Sequence, residues 1–486
     1  MRPTTLTIKE GTARVRFAPS PTGPFHIGNL RSALFNFLFA KKYQGKMILR
    51  IEDTDKERSE KQWEEGIQQA LKWVGITWDE GPFYQSQRTE IYKQYLEKLL
   101  RENKAYFCFC SQEDLETQKQ YLMSIGKAPV YPGKCKTISQ GEIENNLKQG
   151  RPFVVRLRTS FKRVTFNDLV LGEIATESHL LGDFVIAKSF SEPLYNFACV
   201  VDDFEMKISH VIRGGDHISN TPKQILLAEA LGIKPPIYIH LPLVLGNDRS
   251  KLSKRHDATF IPEYAEQGYL PEAMVNFLAF LGWNPGNDRE IFSLSELQDE
   301  FSVEKIQKSP AVFNQDKLDW LNGFYIRKKP LNELALMCQP YLIKAGFNAN
   351  NLEYVQKAVD LYQERLKKLS EISELTGYLF QKEIAVDKTL LKWKDMSEKE
   401  IKASLEKSYK ALKKIKEWTQ DNITSCLLEL SSKARGDRGS ILWPLRVALS
   451  GKKASAGPFE IAFVLGKEKT LNRIKQAVGS MTTMSF

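Results

Sequence analysis

The alternation of apolar and polar positions over the first hundred residues predicts strands and helices in turn. A short extended run covers Arg14–Ala18, and a second covers Lys46–Ile51. Between them, from Asn29 to Tyr43, apolar residues recur at the three- and four-residue intervals of an α-helix. Those residues are Leu30, Ala33, Leu34, Phe37 and Leu38. Helices are also predicted near Glu60–Val74 and Gln87–Glu102. Two strands joined through a helix imply a parallel sheet with its binding crevice at the carboxyl ends of the strands.

This rhythm breaks between residues 106 and 190, where strand-like runs such as Phe153–Leu157 alternate with turns. We interpret the segment as a module inserted into the α/β fold. The α/β pattern returns with Tyr195–Asp202 and His210–Arg213, and a further helix is predicted over Thr221–Leu231.

From about Pro330 onward the pattern is helical, and few strand signals remain. Two groups of apolar residues keep helical spacing there. They are Leu352, Val355, Val359, Tyr362, Leu366 and Leu369, and then Ile401, Leu405, Tyr409, Leu412, Ile415 and Trp418. The predicted fold class is therefore α/β, with an inserted module and a following all-α region.

Charge is distributed unevenly between these regions. The formal net charge of the 486-residue chain is +11, and residues 331–486 carry 26 Lys and Arg against 18 Asp and Glu. A basic helical region is compatible with a polyanionic partner. It is equally compatible with a solvated helical surface that happens to be basic.

Composition excludes several classes of protein. Hydrophobic residues make up 42% and charged residues 27%, which is the balance of an ordinary globular chain and argues against wholesale disorder. No apolar run of about 18 residues is present, so we expect no membrane span. The start, MRPTTLTIKEG, lacks the apolar segment of a secretion signal. Six cysteines make no disulfide framework, and we expect a reducing, cytoplasmic location.

The first candidate site is the segment RFAPSPTGPFHIGN, from Arg16 to Asn29. A strand leads into a turn rich in proline and glycine, and then into a helix that begins near Gly28. A helix start offers unpaired N–H groups and partial positive charge to a phosphate. Gly23 and Gly28 would let a ligand approach the backbone closely, and His26 could donate there. Taken alone, the segment also fits a purely structural turn.

The second candidate site is KLSKR, residues Lys251–Arg255, within the loop GNDRSKLSKRHD. Two lysines separated by two residues can bring mobile ammonium groups to charge that develops on a phosphate. Taken alone, the loop is equally a basic surface loop.

Together, the two segments resemble the signature motifs of class I aminoacyl-tRNA synthetases. Four longer strings narrow the resemblance to bacterial glutamyl-tRNA synthetases. They are RIEDTD (50–55), PLYNFACVVDD (193–203), HVIRGGDH (210–217) and KLSKRHDATFIPEYAEQGYLPEAMVNFLAFLGW (251–283). The string WPLRVALSGKKASAGPFEIAFVLGKEKTLNRI (443–474) extends the resemblance into the helical region, so it covers essentially the whole chain. The chain departs from the usual motifs at Asn29, often His in the family, and at Leu252 and Arg255, often Met and Ser.

The resemblance implies a domain order. Residues 1–105 and 191–250 would be the two halves of a Rossmann-like catalytic domain. Residues 106–190 would be the inserted acceptor-binding module. Residues 251–329 would carry the KLSKR loop and a stem-contact domain, and residues 330–486 would bind the anticodon.

The resemblance also implies a reaction and its residues. Glutamate would be activated by ATP, which Mg²⁺ accompanies, and then transferred to the terminal ribose of a tRNA. The implied catalytic residues are His26, Lys251 and Lys254. The implied glutamate contacts are Arg16, Ala18, Ser20, Glu52, Tyr195, Arg213 and His217. The implied ATP contacts are Pro24, His26, Gly28, Asn29, Asp216, Val244, Lys251, Leu252, Ser253, Lys254 and Arg255.

Three cysteines in the inserted module are candidate zinc ligands. Cys108 and Cys110 are separated by one residue, and Cys135 follows in YPGKC. Thiolates at this spacing can bind one structural Zn²⁺. Residue 137 is threonine, where some glutamyl synthetases have a further ligand, so Tyr131 is the candidate fourth ligand by resemblance to a related glutamyl-transfer enzyme. Three reduced cysteines without metal are the alternative.

In the helical region, Arg365 lies in the stretch where the family is thought to judge the last anticodon base. It could equally be an arginine that forms a surface ion pair. Residues Trp443–Arg446 and Lys452–Lys453 are further candidates for tRNA contact.

Other functions were weighed against the glutamate enzyme. A glutaminyl-tRNA synthetase typically reads the anticodon with β-barrels, whereas this region is predicted to be helical. A shorter relative that glutamylates a modified tRNA base lacks an anticodon domain. A non-enzymatic RNA-binding module would not need His26, Lys251 and Lys254. We expect tRNA(Glu) and glutamate as partners, tRNA(Gln) as a possible second acceptor, and a monomer.

Overall fold

The computed structural model describes residues 9–55, 57–250, 260–433 and 437–481. These residues form two compact units. The first is drawn from residues 1–265 and 271–315, and the second from residues 266–270 and 316–486. In the part of the chain that is described, no helix is both long and apolar enough to cross a bilayer.

Strands are concentrated in the first unit. In chain order they are β1 (Arg14–Phe17), β2 (Lys46–Ile51), β3 (Glu80–Tyr84), β4 (Ala105–Cys108), β5 (Val154–Leu157), β6 (Arg163–Asp168), β7 (Gly172–Glu177), β8 (Val185–Ser189), β9 (Glu192–Pro193), β10 (His210–Gly214), β11 (Ile237–Leu241), β12 (Val244–Leu245) and β13 (Ala311–Val312).

Helices occur in both units. Up to residue 300 they are α1 (Ile27–Lys42), α2 (Lys61–Trp73), α3 (Thr89–Arg101), α4 (Gln112–Ser124), α5 (Gln140–Lys148), α6 (Tyr195–Glu205), α7 (Thr221–Leu231), α8 (Ile261–Gln267), α9 (Pro271–Ala279) and α10 (Leu294–Glu300). They continue with α11 (Gln315–Lys328), α12 (Leu331–Lys344), α13 (Leu352–Asp360), α14 (Glu371–Phe380), α15 (Glu398–Lys413), α16 (Gln420–Ser432), α17 (Gly439–Ser450), α18 (Pro458–Leu465) and α19 (Lys467–Ser480).

The predicted parallel sheet is present. Strands β1, β2 and β3 pair in parallel in that order, and β10 pairs in parallel with β11. The backbone N–H of Ser209 donates to the carbonyl oxygen of Arg14 at 2.9 Å, which places β10 beside β1. The order of the strands therefore runs from β1 to β2 and β3 on one side, and from β10 to β11 on the other. Such a reversal point is where open α/β sheets bind ligands.

Helix α1 lies where its sequence predicts. All five apolar residues that defined its period are buried, and so are Phe35 and Phe39 on other faces of the helix. A helix that is apolar nearly all round is a core helix. At its carboxyl end, a Cβ added to Gly45 would lie 2.0 Å from the carbonyl oxygen of Ala13, so only glycine fits this close return of the chain to β2.

The inserted segment contains two pieces of sheet. Strands β4, β5, β8 and β9 form an antiparallel sheet, in which β5 corresponds to the predicted strand-like run Phe153–Leu157. The hairpin of β6 and β7 instead joins β11, where Tyr238 is paired with Asp168. This pairing carries Asp168 from the inserted segment to the edge of the central sheet. The division into five parts stays a prediction.

The second unit is helical in its described residues from 331 onward. Its core gathers buried residues such as Leu405, Leu412, Leu427 and Ile461. The helical spacing over 352–369 is misleading in its second half, because α13 ends at Asp360 and residues 361–370 form turns. Likewise α15 ends at Lys413, before Trp418. Trp418 still packs against the core, and its indole N–H donates to Ala462 at 3.0 Å.

Candidate active site

A cavity of about 520 Å³ opens at the carboxyl ends of β1 and β10. Phe17 and Ala18 line it from the end of β1, and Arg213 and Gly214 line it from the end of β10. This is the crevice that the βαβ pattern predicted. A concave site with a few converging polar groups at this position is the usual ligand site of such a sheet.

The predicted glutamate and ATP contacts converge on this one cavity. Its walls include Arg16, Ala18, Ser20, Glu52, Tyr195, Arg213 and His217, and also Pro24, His26, Gly28, Asn29, Asp216 and Val244. The remaining predicted residues, Lys251, Leu252, Ser253, Lys254 and Arg255, lie outside the described residues. These residues therefore lie together in the walls of one cavity. The role assigned to each of them stays a prediction.

His26 is the N-cap residue of α1. Its Nδ1 atom accepts the backbone N–H of Gly28 at 3.1 Å. In a neutral imidazole only one nitrogen carries the proton, so this bond assigns the proton to Nε2. His26 can therefore donate from Nε2 beside the positive end of the helix, where an anion is stabilised.

The chain on either side of residues 251–259 borders the same cavity. Val244 lies in its wall on one side, and β12 is paired with β13. On the other side Phe260 lies in the wall and forms a β-bridge with His26. The described residues on both sides of 251–259 therefore border the cavity.

Four charged side chains form a buried network, of which Arg16 and Glu52 line the cavity. Arg50 is fully buried and donates to Asp203 at 2.8 Å and to Glu52 at 3.1 Å. Arg16 donates from Nε to the same Asp203 oxygen at 3.2 Å. Each buried carboxylate is hydrogen-bonded to at least one guanidinium. The opposite charges therefore offset the free-energy cost of burying each of them alone.

Burial and neighbouring charge oppose each other in this network. Burial would raise the pKa of Asp203, but Arg16 and Arg50 outweigh it and lower that pKa. At Glu52 burial is the stronger effect, and its pKa stays raised despite Arg50 and Arg16. Asp203 is thus the fixed anion of the network. Glu52 lies in the cavity wall, where a cationic ligand group would stabilise its charged form.

Arg213 has two nitrogens bound and one without a partner. Its Nε donates to His240 at 3.1 Å, and its Nη2 donates to Thr221 at 2.8 Å. Nη1 is buried and has no hydrogen-bond partner among the described residues. A buried donor left unpaired is costly, so Nη1 is suited to an anionic ligand in the cavity.

Tyr195 and His217 form a polar pair on the same wall. The Tyr195 hydroxyl lies 3.1 Å from Nδ1 of His217. Burial is the main reason why the pKa of His217 is lowered to about 4, and the positive charge of Arg213 contributes to the same effect. His217 is therefore neutral at physiological pH and serves as a hydrogen-bonding group rather than as a cation.

Sequence reasoning missed Arg31, which is buried in α1 and lines the cavity. It donates to the carbonyl oxygens of Leu281 at 3.0 Å and Pro242 at 2.6 Å. Burial lowers its pKa to about 10, against the opposing charge of Asp216. The available signal was a charged residue within an otherwise apolar helix. Thr22, Ser32 and Leu243 also line the cavity without having been predicted.

The three cysteines of the inserted segment converge away from this cavity. The Sγ atoms of Cys108, Cys110 and Cys135 lie within 4.8 Å of one another. The Tyr131 hydroxyl is 3.4 Å from the Sγ atoms of both Cys108 and Cys110. The three sulfur atoms and the phenol oxygen are close enough together to act as ligands of one Zn²⁺ ion.

A cation lies beside the cysteine cluster. The guanidinium of Arg156 is 3.9 Å from the centre of the Tyr131 ring, and its Nη1 donates to the carbonyl oxygen of Asp183. Burial would raise the pKa of Cys108, but hydrogen bonds from Tyr131 and Arg156 lower it overall. Burial raises the pKa of Cys110 to about 11, so the setting favours the thiolate, the form that binds metal, at Cys108.

In the second unit, Arg365 borders a smaller cavity of about 240 Å³. Its Nη1 donates to the carbonyl oxygen of Ser455 at 3.3 Å. Arg446 lies close enough to Arg365 for the two charges to repel, although burial is the larger reason why the pKa of Arg446 is lowered. Arg446 also stacks on Trp443 at 4.3 Å. Two predicted tRNA contacts are therefore neighbours.

Comparisons with protein families cover both units. Residues 12–320 match the family described as tRNA synthetases class I (E and Q), catalytic domain. Residues 333–478 match the family described as anticodon binding domain.

Individual relatives match over nearly the whole chain. A glutamate–tRNA ligase 2 of Thermoanaerobacter pseudethanolicus is 42% identical and covers 97% of this chain and 99% of its own length. A glutamate–tRNA ligase of Carboxydothermus hydrogenoformans is 43% identical and covers 95% and 98%. A crystal structure of a glutamate tRNA ligase from Elizabethkingia meningosepticum, in complex with its amino acid, has a TM-score of 0.88. It is 31% identical and covers 97% of this chain and 100% of that one.

The buried network gives a first prediction. Arg50→Met leaves Glu52 and Asp203 buried without their main counter-ion, so it should destabilise the protein by about 3–5 kcal/mol. Arg58→Met removes an exposed ion pair with Asp55 and should cost at most about 1 kcal/mol. Urea denaturation of both variants compares the two effects. Equal unfolding midpoints would contradict a network that depends on Arg50.

Proposed function

The chain belongs to the glutamate–tRNA ligases among the class I tRNA synthetases, and from this membership we propose that it joins L-glutamate to the 3′ end of tRNA(Glu). The reaction consumes ATP, proceeds through glutamyl-adenylate, and releases pyrophosphate and then AMP. The observation that carries the proposal is the cavity, whose walls bring the buried side chains of Arg16, Glu52 and Arg213 together with the first signature motif.

The charges in the cavity wall suit the two ends of glutamate. Glu52 can hold the α-ammonium group. Arg213 and Arg16 can take the side-chain carboxylate, since guanidinium groups bind carboxylates in a directed, charge-assisted way. The α-carboxylate is then left to react.

Activation is a phosphoryl-type displacement at the α-phosphate of ATP. One oxygen of the α-carboxylate forms a bond to the α-phosphorus, and the bond from that phosphorus to the pyrophosphate oxygen breaks. Such reactions depend mainly on positioning and on neutralising charge. His26 supplies an Nε2 donor at the helix start, and we assign Lys251 and Lys254 the same task on the leaving phosphates. Mg²⁺, which accompanies ATP in this family, neutralises phosphate charge.

The second step transfers the glutamyl group. A hydroxyl of the terminal ribose forms an ester bond to the glutamyl carbonyl carbon, and the bond from that carbon to the AMP oxygen breaks. The proton of the hydroxyl passes to a phosphate oxygen of the departing AMP. AMP is the leaving group. The ester bond to the ribose replaces the bond between the glutamyl carbon and AMP.

Selection of glutamate over glutamine follows from the same charges. Glutamine is neutral at its side chain, so it would leave the guanidinium charge of Arg213 without an anion. A buried charge without its partner costs several kcal/mol (order of magnitude), which is enough for strong discrimination.

We assign tRNA recognition to the second unit. Its excess of Lys and Arg supplies the phosphate-binding, salt-dependent part of the affinity. Arg365 borders a cavity that also contains Lys357, Gln420 and Glu460, a setting suited to a splayed anticodon base. We propose the cytoplasm as the location, a monomer as the functional state, and tRNA(Gln) as a second acceptor to be tested.

We also propose that Cys108, Cys110, Cys135 and Tyr131 hold one structural Zn²⁺. The sulfur atoms and the phenol oxygen already lie at one point, and Arg156 offsets part of the negative charge that three thiolates would bring. The metal would join β4 to the turn that contains Cys135. That bond would stabilise the inserted module without entering the chemistry of the cavity.

A charging assay tests the function. The purified protein, ATP, Mg²⁺ and tRNA(Glu) should convert radiolabelled glutamate into an acid-precipitable product, and radiolabelled glutamine should give none. Repeating the assay with tRNA(Gln) measures the breadth of tRNA recognition. Efficient charging with glutamine, or no charging with glutamate, would contradict the proposed function.

Elemental analysis tests the zinc site. Protein purified without chelator should contain about one zinc per chain. Cys135→Ser should lose most of it, because a ligand sulfur is removed. Cys426→Ser, which changes a cysteine outside the cluster, should keep the wild-type content. Zinc-free wild-type protein would rule out the site.

A further inference from the structure

We propose that Asp168, His240 and Thr221 are positioning residues that hold Arg213 with only its Nη1 free for the substrate. This inference rests on the proposed function, in which Arg213 binds the side-chain carboxylate of glutamate. None of the three lines the cavity, and all three are almost completely buried behind Arg213.

Asp168 begins the chain of hydrogen bonds. Its Oδ1 accepts the backbone N–H groups of Val170 and Leu171, both at 2.9 Å. Its Oδ2 accepts the backbone N–H of His240 at 3.0 Å and lies 2.7 Å from Nδ1 of the same ring. With four donors around it, the carboxylate acts as an acceptor, so Nδ1 of His240 carries the proton.

This tautomer makes Nε2 of His240 an acceptor. It receives the Nε–H of Arg213 at 3.1 Å and lies 3.2 Å from the Thr221 hydroxyl. Burial lowers the pKa of His240, which keeps the ring neutral although Asp168 opposes the effect. A second proton on Nε2 would face the N–H of Arg213 and remove this bond.

Thr221 fixes a second nitrogen of the guanidinium. Its hydroxyl accepts the Nη2–H of Arg213 at 2.8 Å. Since the guanidinium is planar, two fixed nitrogens determine the position of the third. Nη1 is that third nitrogen, and it is the one without a partner among the described residues. The array thus orients a single buried donor and leaves its charge for the substrate.

The sequence separation of these residues supports a functional purpose. Asp168 comes from the hairpin of the inserted segment, His240 from β11 and Thr221 from the first position of α7. His240 and Thr221 contact one arginine of the cavity wall, and Asp168 acts on it through His240. Positioning of this kind matters because a charge-assisted bond between a guanidinium and a carboxylate depends on its direction.

Matched variants at Thr221 provide the main test. Thr221→Val keeps the shape but removes the hydroxyl, and Thr221→Ser keeps the hydroxyl. We expect Thr221→Val to raise KM for glutamate by about tenfold or more with kcat nearly unchanged, since a binding interaction outside the reacting centre is weakened. The preference for glutamate over glutamine should fall in parallel. Thr221→Ser should restore both values.

A second pair at His240 tests the other fixed nitrogen. His240→Leu removes the acceptor, whereas His240→Gln can place an amide oxygen near the position of Nε2. The control is His210→Leu, which exchanges another buried histidine, in β10, whose Nδ1 is hydrogen-bonded to the hydroxyl of Ser209. We expect the glutamate KM to rise in His240→Leu, to be partly restored in His240→Gln and to be unchanged in His210→Leu.

The outcomes separate this inference from the function itself. If wild-type protein charges glutamate but Thr221→Val keeps the wild-type KM and amino-acid preference, the positioning role is overturned and the function stands. An equal KM increase in Thr221→Val and Thr221→Ser would also overturn it, because a lost methyl group and a lost hydroxyl would then be equivalent. Failure of wild-type protein to charge glutamate would instead reject the function. Thermal melting of each variant confirms that folded proteins are compared.

Discussion

The structure of the cavity depends on how Arg50 is neutralised. This arginine is fully buried at the carboxyl end of β2, and it is bound there by Asp203 of α6 and by Glu52 directly after β2. A charge taken out of water at such depth is tolerated only with well-placed partners. The same carboxylate of Asp203 binds Arg16 at the end of β1. Neutralising Arg50 therefore fixes the positions of Glu52 and Arg16, two of the three cavity residues assigned to the ends of glutamate.

The two arginines assigned to the substrate carboxylate are held by different means. Arg16 is held by an anion, Asp203, which balances part of its charge. Arg213 is held by a neutral histidine and a hydroxyl, which orient it without balancing its charge. The second arrangement leaves more of the attraction to the ligand. Such a site binds a side-chain carboxylate more strongly than a neutral side-chain amide.

The sequence supported many of these conclusions at the level of elements and motifs. The period of α1 and the bounds of α7 were predicted, and so was the meeting of distant motifs at one crevice. Asp168, His240 and Thr221 could not be found in this way, since no motif in the surrounding sequence marks any of them. Their partners depend on the pairing of β6 with β11, which joins residues about 70 positions apart. The turns over 361–370 were missed because buried apolar residues there reproduce a helical period.

The central claim is that this cavity selects glutamate through its side-chain carboxylate. A crystal structure of the protein soaked with L-glutamate tests it most directly. We predict that the side-chain carboxylate lies about 3 Å from Nη1 of Arg213 and that the α-ammonium group lies beside Glu52. Glutamate bound with its α-carboxylate on Arg213, or bound outside this cavity, would contradict the account.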